Sequence, residues 1–127
     1  YDVTNSFHLS SSYSKVSLSL FNAIIVRGSI NERDCFFGKT EKCISVGQKF
    51  FKPDFLYKNS IIEFFGDFWH KNPQTYDIDE EIWGKDAQRI NALISLGYNV
   101  KIVWETDFNA NKEKTIVECL NFLGVKL

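Results

Sequence analysis

The sequence lacks the segments that mark a membrane-anchored or secreted protein. No apolar run approaches the ~20 residues that a membrane-spanning helix needs, and no signal peptide opens the chain. Methionine is absent altogether, and the chain begins at Tyr1. We therefore expect no membrane partner, and we expect the chain to be a fragment of a longer protein.

Cysteine is scarce, and its spacing does not suit cross-linking. The three cysteines, Cys35, Cys43 and Cys119, form no CxxC pair. An odd number without paired spacing argues against a disulfide framework and against a structural zinc site. We expect reduced thiols that are mostly buried, and no bound zinc.

Excess positive charge is also missing. The formal net charge is −1, whereas domains that bind nucleic acid are usually strongly basic. Carboxylates that gather to hold a divalent metal would lower the total charge, and a basic surface could belong to another domain. Net charge therefore weighs little for or against a nucleic-acid partner.

The chain has enough hydrophobic residues to form a core. Its 127 residues are 44% hydrophobic and include 12 Phe and 3 Trp. A chain of this size forms one domain and buries about two thirds of its unfolded surface. We expect a polar, Ser-rich N-terminal arm over residues 1–13 and a single domain over residues 14–127.

Hydrophobic periodicity predicts three helices in that domain. They cover residues 15–27, 80–96 and 111–123. Ser14 and Gly28 are the predicted caps of the first helix. The second helix is expected to bury Ile90, Leu93 and Ile94.

Short β-type runs predict strands between and after the first two helices. They cover residues 35–37, 43–46, 50–51, 55–57, 61–65 and 100–104. Lys58-Asn59 is a tight turn, so the fourth and fifth runs should form an antiparallel hairpin. In the last strand, Val100, Ile102 and Trp104 alternate with Lys101 and Val103. The order predicts a mixed α/β domain with a central sheet.

Two acidic residues of the predicted hairpin have unusual surroundings. Asp54 starts one strand, and Glu63 lies inside the apolar run of the partner strand. A buried carboxylate needs a metal, an Arg or hydrogen-bond donors. If the two carboxylates converge, they form an oxygen site suited to Mg²⁺. The structural alternative is a pair between Glu63 and a lysine at the sheet edge.

The loop after this strand adds a histidine and two aromatic residues. His70 is suited to general acid–base chemistry near neutral pH, although a lone histidine is often only structural. Phe68 and Trp69 would ordinarily belong to a core. Exposed beside a metal, they would instead stack on bases or wedge between them.

The predicted second helix carries one further acid on its apolar side. Asp86 lies four positions before Ile90, which places it on or beside the buried face. Lys85 and Arg89 flank it and could reach phosphates. The alternative is a simple Asp86–Arg89 pair on a solvated face.

Together these segments resemble a known group of nucleases. They are similar to the very-short-patch-repair endonucleases, and more so to the phage homing endonucleases named for an EDxHD motif. The resemblance covers about residues 14–123 and is carried by Phe51-Lys52-Pro53-Asp54-Phe55, Ile62-Glu63-Phe64-x-Gly66-Asp67-x-Trp69-His70-x-Asn72-Pro73, and Asp86 through Leu96-Gly97-Tyr98 to Ile102-Val103-Trp104-Glu105. It implies a restriction-endonuclease-like PD-(D/E)xK α/β core, with helix–strands–helix–strand order around a central mixed sheet.

The resemblance also implies a role for each matching residue. Asp54 matches the metal-binding Asp, His70 the catalytic His, and Asp86 the second-helix acid. Glu63 and Asp67 match the Glu-Phe-x-Gly-Asp segment of the homing enzymes. We therefore predict Asp54, Glu63, His70 and Asp86 as catalytic residues, and Asp54 with Glu63 or Asp67 as metal ligands. From the residue types and their positions we further predict that Phe68, Trp69, Lys71, Lys85 and Arg89 contact DNA.

Three departures from the family pattern bear on the chemistry. Phe65 stands where many PD-(D/E)xK enzymes have Lys, which leaves His70 as the proton carrier. Asp67 stands where the repair enzymes have a zinc-binding Cys. The first helix offers Ser17 or Ser19 where these families carry a Glu. Glu41 is the candidate replacement, and a weakened site is the alternative.

The sequence therefore predicts a Mg²⁺- or Mn²⁺-dependent endonuclease that hydrolyses phosphodiester bonds in double-stranded DNA. It would be the catalytic domain of a homing-type enzyme, with a further DNA-binding domain in the full-length protein. We expect it in the cytoplasm of a phage or virus host, or at the nucleoid. The alternatives are a catalytically weakened DNA-binding module of the same fold and an RNA-directed nuclease.

Overall fold

Helices flank strands along residues 14–126, the part of the chain that the computed structural model describes. The predicted arm over residues 1–13 lies outside the described residues. The helices are α1 (Lys15–Gly28), α2 (Glu80–Ser95), α3 (Glu105–Ala110) and α4 (Lys112–Phe122). The strands are β1 (Cys35–Phe37), β2 (Ile44–Val46), β3 (Lys49–Phe51), β4 (Phe55–Tyr57), β5 (Ser60–Phe65) and β6 (Asn99–Trp104).

A four-stranded mixed sheet organises these elements, in the order β1-β4-β5-β6. β4 pairs antiparallel with both β1 and β5, and β6 joins β5 in parallel. β2 and β3 form a separate antiparallel pair. The predicted mixed α/β class, the central sheet and the β4–β5 hairpin are confirmed.

Alternate residues of the hairpin strands point to opposite faces of the sheet and create two apolar layers. Phe55 and Ile62 belong to the larger layer, which α1 and α4 complete with Phe21 and Leu120, among others. Leu56 and Ile61 face the other way. There they pack with Leu93 of α2, and residues of the β2–β3 pair join the same cluster.

The predicted burial of Ile94 is wrong. Ile94 is 49% exposed, because α2 turns only a narrow stripe to the sheet and the next position after Leu93 rotates by about 100° toward solvent. Ile102 is also exposed, while Val103 is buried in the larger layer. β6 is an edge strand of this sheet, so other elements cover only part of the sheet face on which Ile102 lies.

The ends of the helices follow the predicted capping residues with one change. Ser14 accepts a hydrogen bond from the Ser17 N–H at 2.9 Å, and Asn111 accepts one from the Lys114 N–H at 3.1 Å. After Gly28, however, the left-handed cap residue is Ser29, with φ of 51°. Gly28 serves packing, since a Cβ there would lie 2.8 Å from Leu120 Cδ2.

The cysteines are all free thiols. Cys35 and Cys119 are buried and Cys43 is exposed, so the expectation of mostly buried thiols holds for two of the three. Burial is the largest cause that raises the pKa of both Cys35 and Cys119 to about 11. These two side chains therefore act as small apolar groups in the core.

Within residues 14–126, no helix has the length and the apolar character that crossing a lipid bilayer requires.

The contact between α1 and α4 can be tested with two glycine substitutions. Gly28→Ala should lower the free energy of unfolding by about 1 kcal/mol, because the added methyl group meets the buried Leu120 side chain. Gly84→Ala is the matched control inside α2, where the added carbon has open space. It should raise stability by about 0.5–1 kcal/mol through helix propensity. Urea unfolding measures both, and a stabilising Gly28→Ala would contradict the close contact.

Candidate active site

Two carboxyl groups meet at the end of the β4–β5 hairpin. Phe55 pairs with Ile62, and the same antiparallel register sets Asp54 opposite Glu63. The Asp54 Oδ2 atom accepts a hydrogen bond from the Phe64 N–H at 2.8 Å. The two carboxyl groups lie close enough to share a hydrogen bond when one of them is protonated. The predicted convergence of Asp54 and Glu63 is therefore present.

Burial makes this pair reluctant to ionise fully. Glu63 is only 2% exposed. Burial and then the nearby Asp54 raise the pKa of Glu63 well above its usual value. Burial also raises the pKa of Asp54, although the Phe64 N–H and Arg89 oppose that shift. In this buried site, the positive charge of Arg89 does not suffice to keep both carboxyl groups ionised at their usual pKa values.

Arg89 of α2 is the cation that reaches this pair. Its Nη2 atom lies 3.1 Å from the Glu63 Oε1 atom and donates to the Lys52 carbonyl at 2.8 Å. The alternative that paired Glu63 with a lysine at the sheet edge is therefore wrong. Arg89 was predicted as an outer DNA contact, but its guanidinium lies against the carboxyl pair and is partly buried.

His70 and Asp86 form a second polar pair. The His70 Nδ1 atom lies 2.8 Å from the Asp86 Oδ2 atom. The imidazole stacks on the Phe65 ring, with 3.8 Å between ring centroids and 5° between planes. Trp104 meets the imidazole edge-on at 6.5 Å. The alternative Asp86–Arg89 pair is therefore wrong, since each residue has a different partner.

His70 is also an electrostatic neighbour of the carboxyl pair. It is among the groups that lower the pKa of Asp54 against the larger effect of burial. The four predicted catalytic residues therefore form two pairs, and His70 of one pair interacts electrostatically with Asp54 of the other. One pair comes from the hairpin, and the other connects the following loop to α2.

Asp67 forms its hydrogen bonds with Asn72 and Thr106 and not with the Asp54–Glu63 pair. It accepts hydrogen bonds from Asn72 Nδ2 at 2.9 Å and from the Thr106 hydroxyl. Burial alone would raise the pKa of Asp67, but these hydrogen bonds outweigh it and lower the pKa. In the described part of the chain, no three His, Cys, Asp or Glu side chains are grouped to hold a metal ion. The predicted trio of Asp54, Glu63 and Asp67 is thus not assembled.

A third carboxyl group approaches the pair from the segment before β2. Glu41 is half-buried, and burial followed by the charge of Asp54 raises the pKa of Glu41 to about 7. The serines of α1 take no part, because the Ser17 and Ser19 hydroxyls donate to carbonyls of their own chain segment at 2.8 Å. Glu41, the predicted candidate replacement for the first-helix Glu, therefore lies within electrostatic range of Asp54.

The two aromatic residues of the loop form a surface. Phe68 is 53% exposed and Trp69 is 70% exposed, so the interpretation as core residues is wrong. Their rings meet edge-to-face at 5.1 Å, and the Lys71 Nζ atom lies 3.9 Å from the Phe68 ring centroid. Lys85 is on the exposed side of α2, 3.4 Å from Glu81.

Comparison with known proteins adds no relative: the chain matches no protein-family model, no curated protein and no solved structure.

Sequence reasoning missed three parts of this site. Three contacts were not predicted: the ion pair of Arg89 with Glu63, the stacking of Phe65 on His70, and the hydrogen bond from Thr106 to Asp67. Only the first had a signal. Arg89 lies on the same side of α2 as the buried Leu93, where an Arg requires an anion.

Stability should fall as the pH rises through the range in which Glu41 ionises. The folded-state pKa of about 7 lies above the usual 4.5. The stabilising contribution is therefore complete below pH 4.5 and is lost as the pH rises through 7. We expect a melting temperature that decreases from pH 5 to pH 8. Glu41→Gln should flatten this decrease, whereas Glu118→Gln on the exposed side of α4 should leave it unchanged.

Removing Arg89 should be most harmful at alkaline pH. Arg89→Met leaves the Glu63 charge buried without its cation, which costs about 3–5 kcal/mol. The loss should be smaller at pH 5 than at pH 8, because protonated Glu63 needs no cation. Denaturant unfolding at the two pH values measures it, with the exposed Arg33→Met as control. An equal loss at both pH values would contradict the role of this ion pair.

Proposed function

We propose that this chain is a metal-dependent DNA endonuclease domain of homing type. The observation that carries the proposal is the buried Asp54–Glu63 pair beside the His70–Asp86 pair. Hydrolysis of a phosphodiester needs a site for a divalent cation and a group that moves a proton. These two pairs have the chemistry for the two tasks.

The carboxyl pair fits a hard divalent cation. Its donors are oxygen atoms, the ligand type that Mg²⁺ and Mn²⁺ take in proteins. Burial is the largest cause of the raised pKa values of Asp54 and Glu63, and a bound cation would favour their ionised forms. Asp54 and Glu63 would hold it. When bound, the cation neutralises the scissile phosphate and lowers the pKa of a coordinated water.

His70 is the proton carrier in this proposal. Its Nδ1 atom faces Asp86, so the opposite ring nitrogen, Nε2, is the atom that exchanges a proton with the reacting oxygens. Asp86 fixes the orientation of the ring through this contact. The Phe65 ring holds the plane of the imidazole. Asp86 and Phe65 are positioning residues.

The surroundings of the site suit a DNA substrate. Phe68 and Trp69 present two exposed rings that can stack on bases or wedge between them. Lys71 and Lys85 are cations on the same loop and on α2, and they can pair with phosphates. The mixed sheet with its helix–strands–helix–strand order also supports the PD-(D/E)xK core that the sequence resemblance implies.

The second candidate function is a DNA-binding module of the same fold that has lost turnover. The absent first-helix Glu favours it, because Ser17 and Ser19 bond only to their own segment. The approach of Glu41 to Asp54 favours the enzyme. The nuclease is therefore the preferred proposal, with double-stranded DNA as its substrate. A further DNA-binding domain would supply sequence selectivity, and an RNA substrate is the third possibility.

Plasmid nicking tests the proposal directly. The wild-type chain should nick supercoiled plasmid with Mg²⁺ or Mn²⁺, and EDTA should abolish the reaction. His70→Ala should lower the rate about 10²–10⁴-fold while DNA binding persists. Asp54→Asn should also abolish nicking, yet raise the melting temperature, because it removes a buried carboxyl group and keeps an acceptor for the Phe64 N–H.

A purely structural His70 gives the opposite pattern. His70→Ala would then lower the melting temperature and leave the rate proportional to the folded fraction. Glu118→Gln is the control that should match the wild type in rate and in melting temperature. Wild-type nicking by His70→Ala would overturn the mechanism, and cleavage of RNA without cleavage of DNA would favour the third possibility.

A further inference from the structure

A cleft of about 400 Å³ lies between the β2–β3 hairpin and α2. Lys49 stands on the hairpin wall, and Lys85 and Arg89 stand on the helix wall. The only carboxylate paired with these lysines in the described residues is Glu81, which meets Lys85 near the solvent at 3.4 Å. The cleft is therefore lined by cations on both sides.

The hairpin wall is set by strand alternation. Lys49 and Phe51 line the cleft, and Phe50 between them is 69% exposed and absent from that lining. Ile44, which pairs with Phe51, is buried in the smaller apolar layer. That anchor holds the hairpin against the sheet and fixes where Lys49 projects.

The helix wall is set by helical spacing. Lys85, Gln88 and Arg89 are three and four positions apart, so they share one side of α2. The Lys85–Glu81 pair is highly exposed on both partners, and such pairs contribute little, so the ammonium group can exchange partners. Gln88 adds amide donors between the two charges.

One end of the cleft meets the candidate active site. Arg89 lines the cleft and also bonds to Glu63 of the carboxyl pair. Arg89 therefore places one end of the cation-lined cleft beside the carboxyl pair. This arrangement suits a polyanion that extends beyond the reacting group.

We infer that this cleft seats the phosphodiester backbone of the DNA strand that runs into the carboxyl pair, with the β2–β3 hairpin as a substrate-binding element. The inference deepens the proposed function and rests on it. It adds Lys49 and the hairpin to the interface and gives the strand a path. Phosphates bind Lys and Arg without regard to sequence, so the contact supplies affinity and register along the strand.

Binding of the full chain to a labelled DNA duplex in EDTA tests this inference without any cleavage. Affinity is measured by fluorescence anisotropy at several salt concentrations for the wild type, Lys49→Gln, Lys85→Gln and the double variant. Each single variant should bind several-fold more weakly, and the slope of log K against log salt should become shallower by about 0.9 per lost contact. Lys114→Gln on exposed α4 is the matched control and should retain the wild-type slope.

The outcomes separate this inference from the proposed nuclease. Wild-type affinity and slope in the double variant, with an unchanged melting temperature, would overturn the cleft as the strand path. So would a wild-type chain that binds no duplex, or one that binds RNA through these lysines and leaves DNA unbound. A loss of slope in a chain that never nicks plasmid would support the cleft and count against the nuclease.

Discussion

The opposition of Asp54 and Glu63 across the β4–β5 hairpin is the constraint on which the site depends. The register that buries Phe55 and Ile62 in one layer and Leu56 and Ile61 in the other leaves the two acids facing one another. They cannot separate without a shift that would turn every apolar residue of the strand to the wrong face. The apolar core therefore holds two acidic groups together, and α2 supplies Arg89 as the cation beside them.

The side chains of the loop that follows β5 point in two directions. Asp67 is bound by Asn72 and by Thr106 of α3, which ties the loop to the segment after β6. With that anchor in place, His70 turns inward onto the Phe65 ring while Trp69 remains in solvent. One loop thus presents an imidazole to the inside and an aromatic surface to the outside.

Local patterns predicted the hairpin, the main helices and the convergence of the two acids, because strand alternation and helix caps depend on neighbouring residues. The choice of distant partners was not predictable in the same way. Asp86 and Arg89 are spaced like a local pair on a helix, yet each bonds to a residue of the hairpin or its loop. The short helix α3 was missed because six residues are too few for a periodic signal.

The stacked arrangement of Phe65 and His70 limits how this site can change. The Phe65 ring is the platform on which the His70 imidazole stacks, with 3.8 Å between ring centroids. Exchange of Phe65 for Lys would install an ammonium group and remove that platform in one step. In the proposed mechanism, a lysine at position 65 and the stacked His70 are therefore mutually exclusive proton carriers, and a single substitution cannot exchange one for the other while both remain functional.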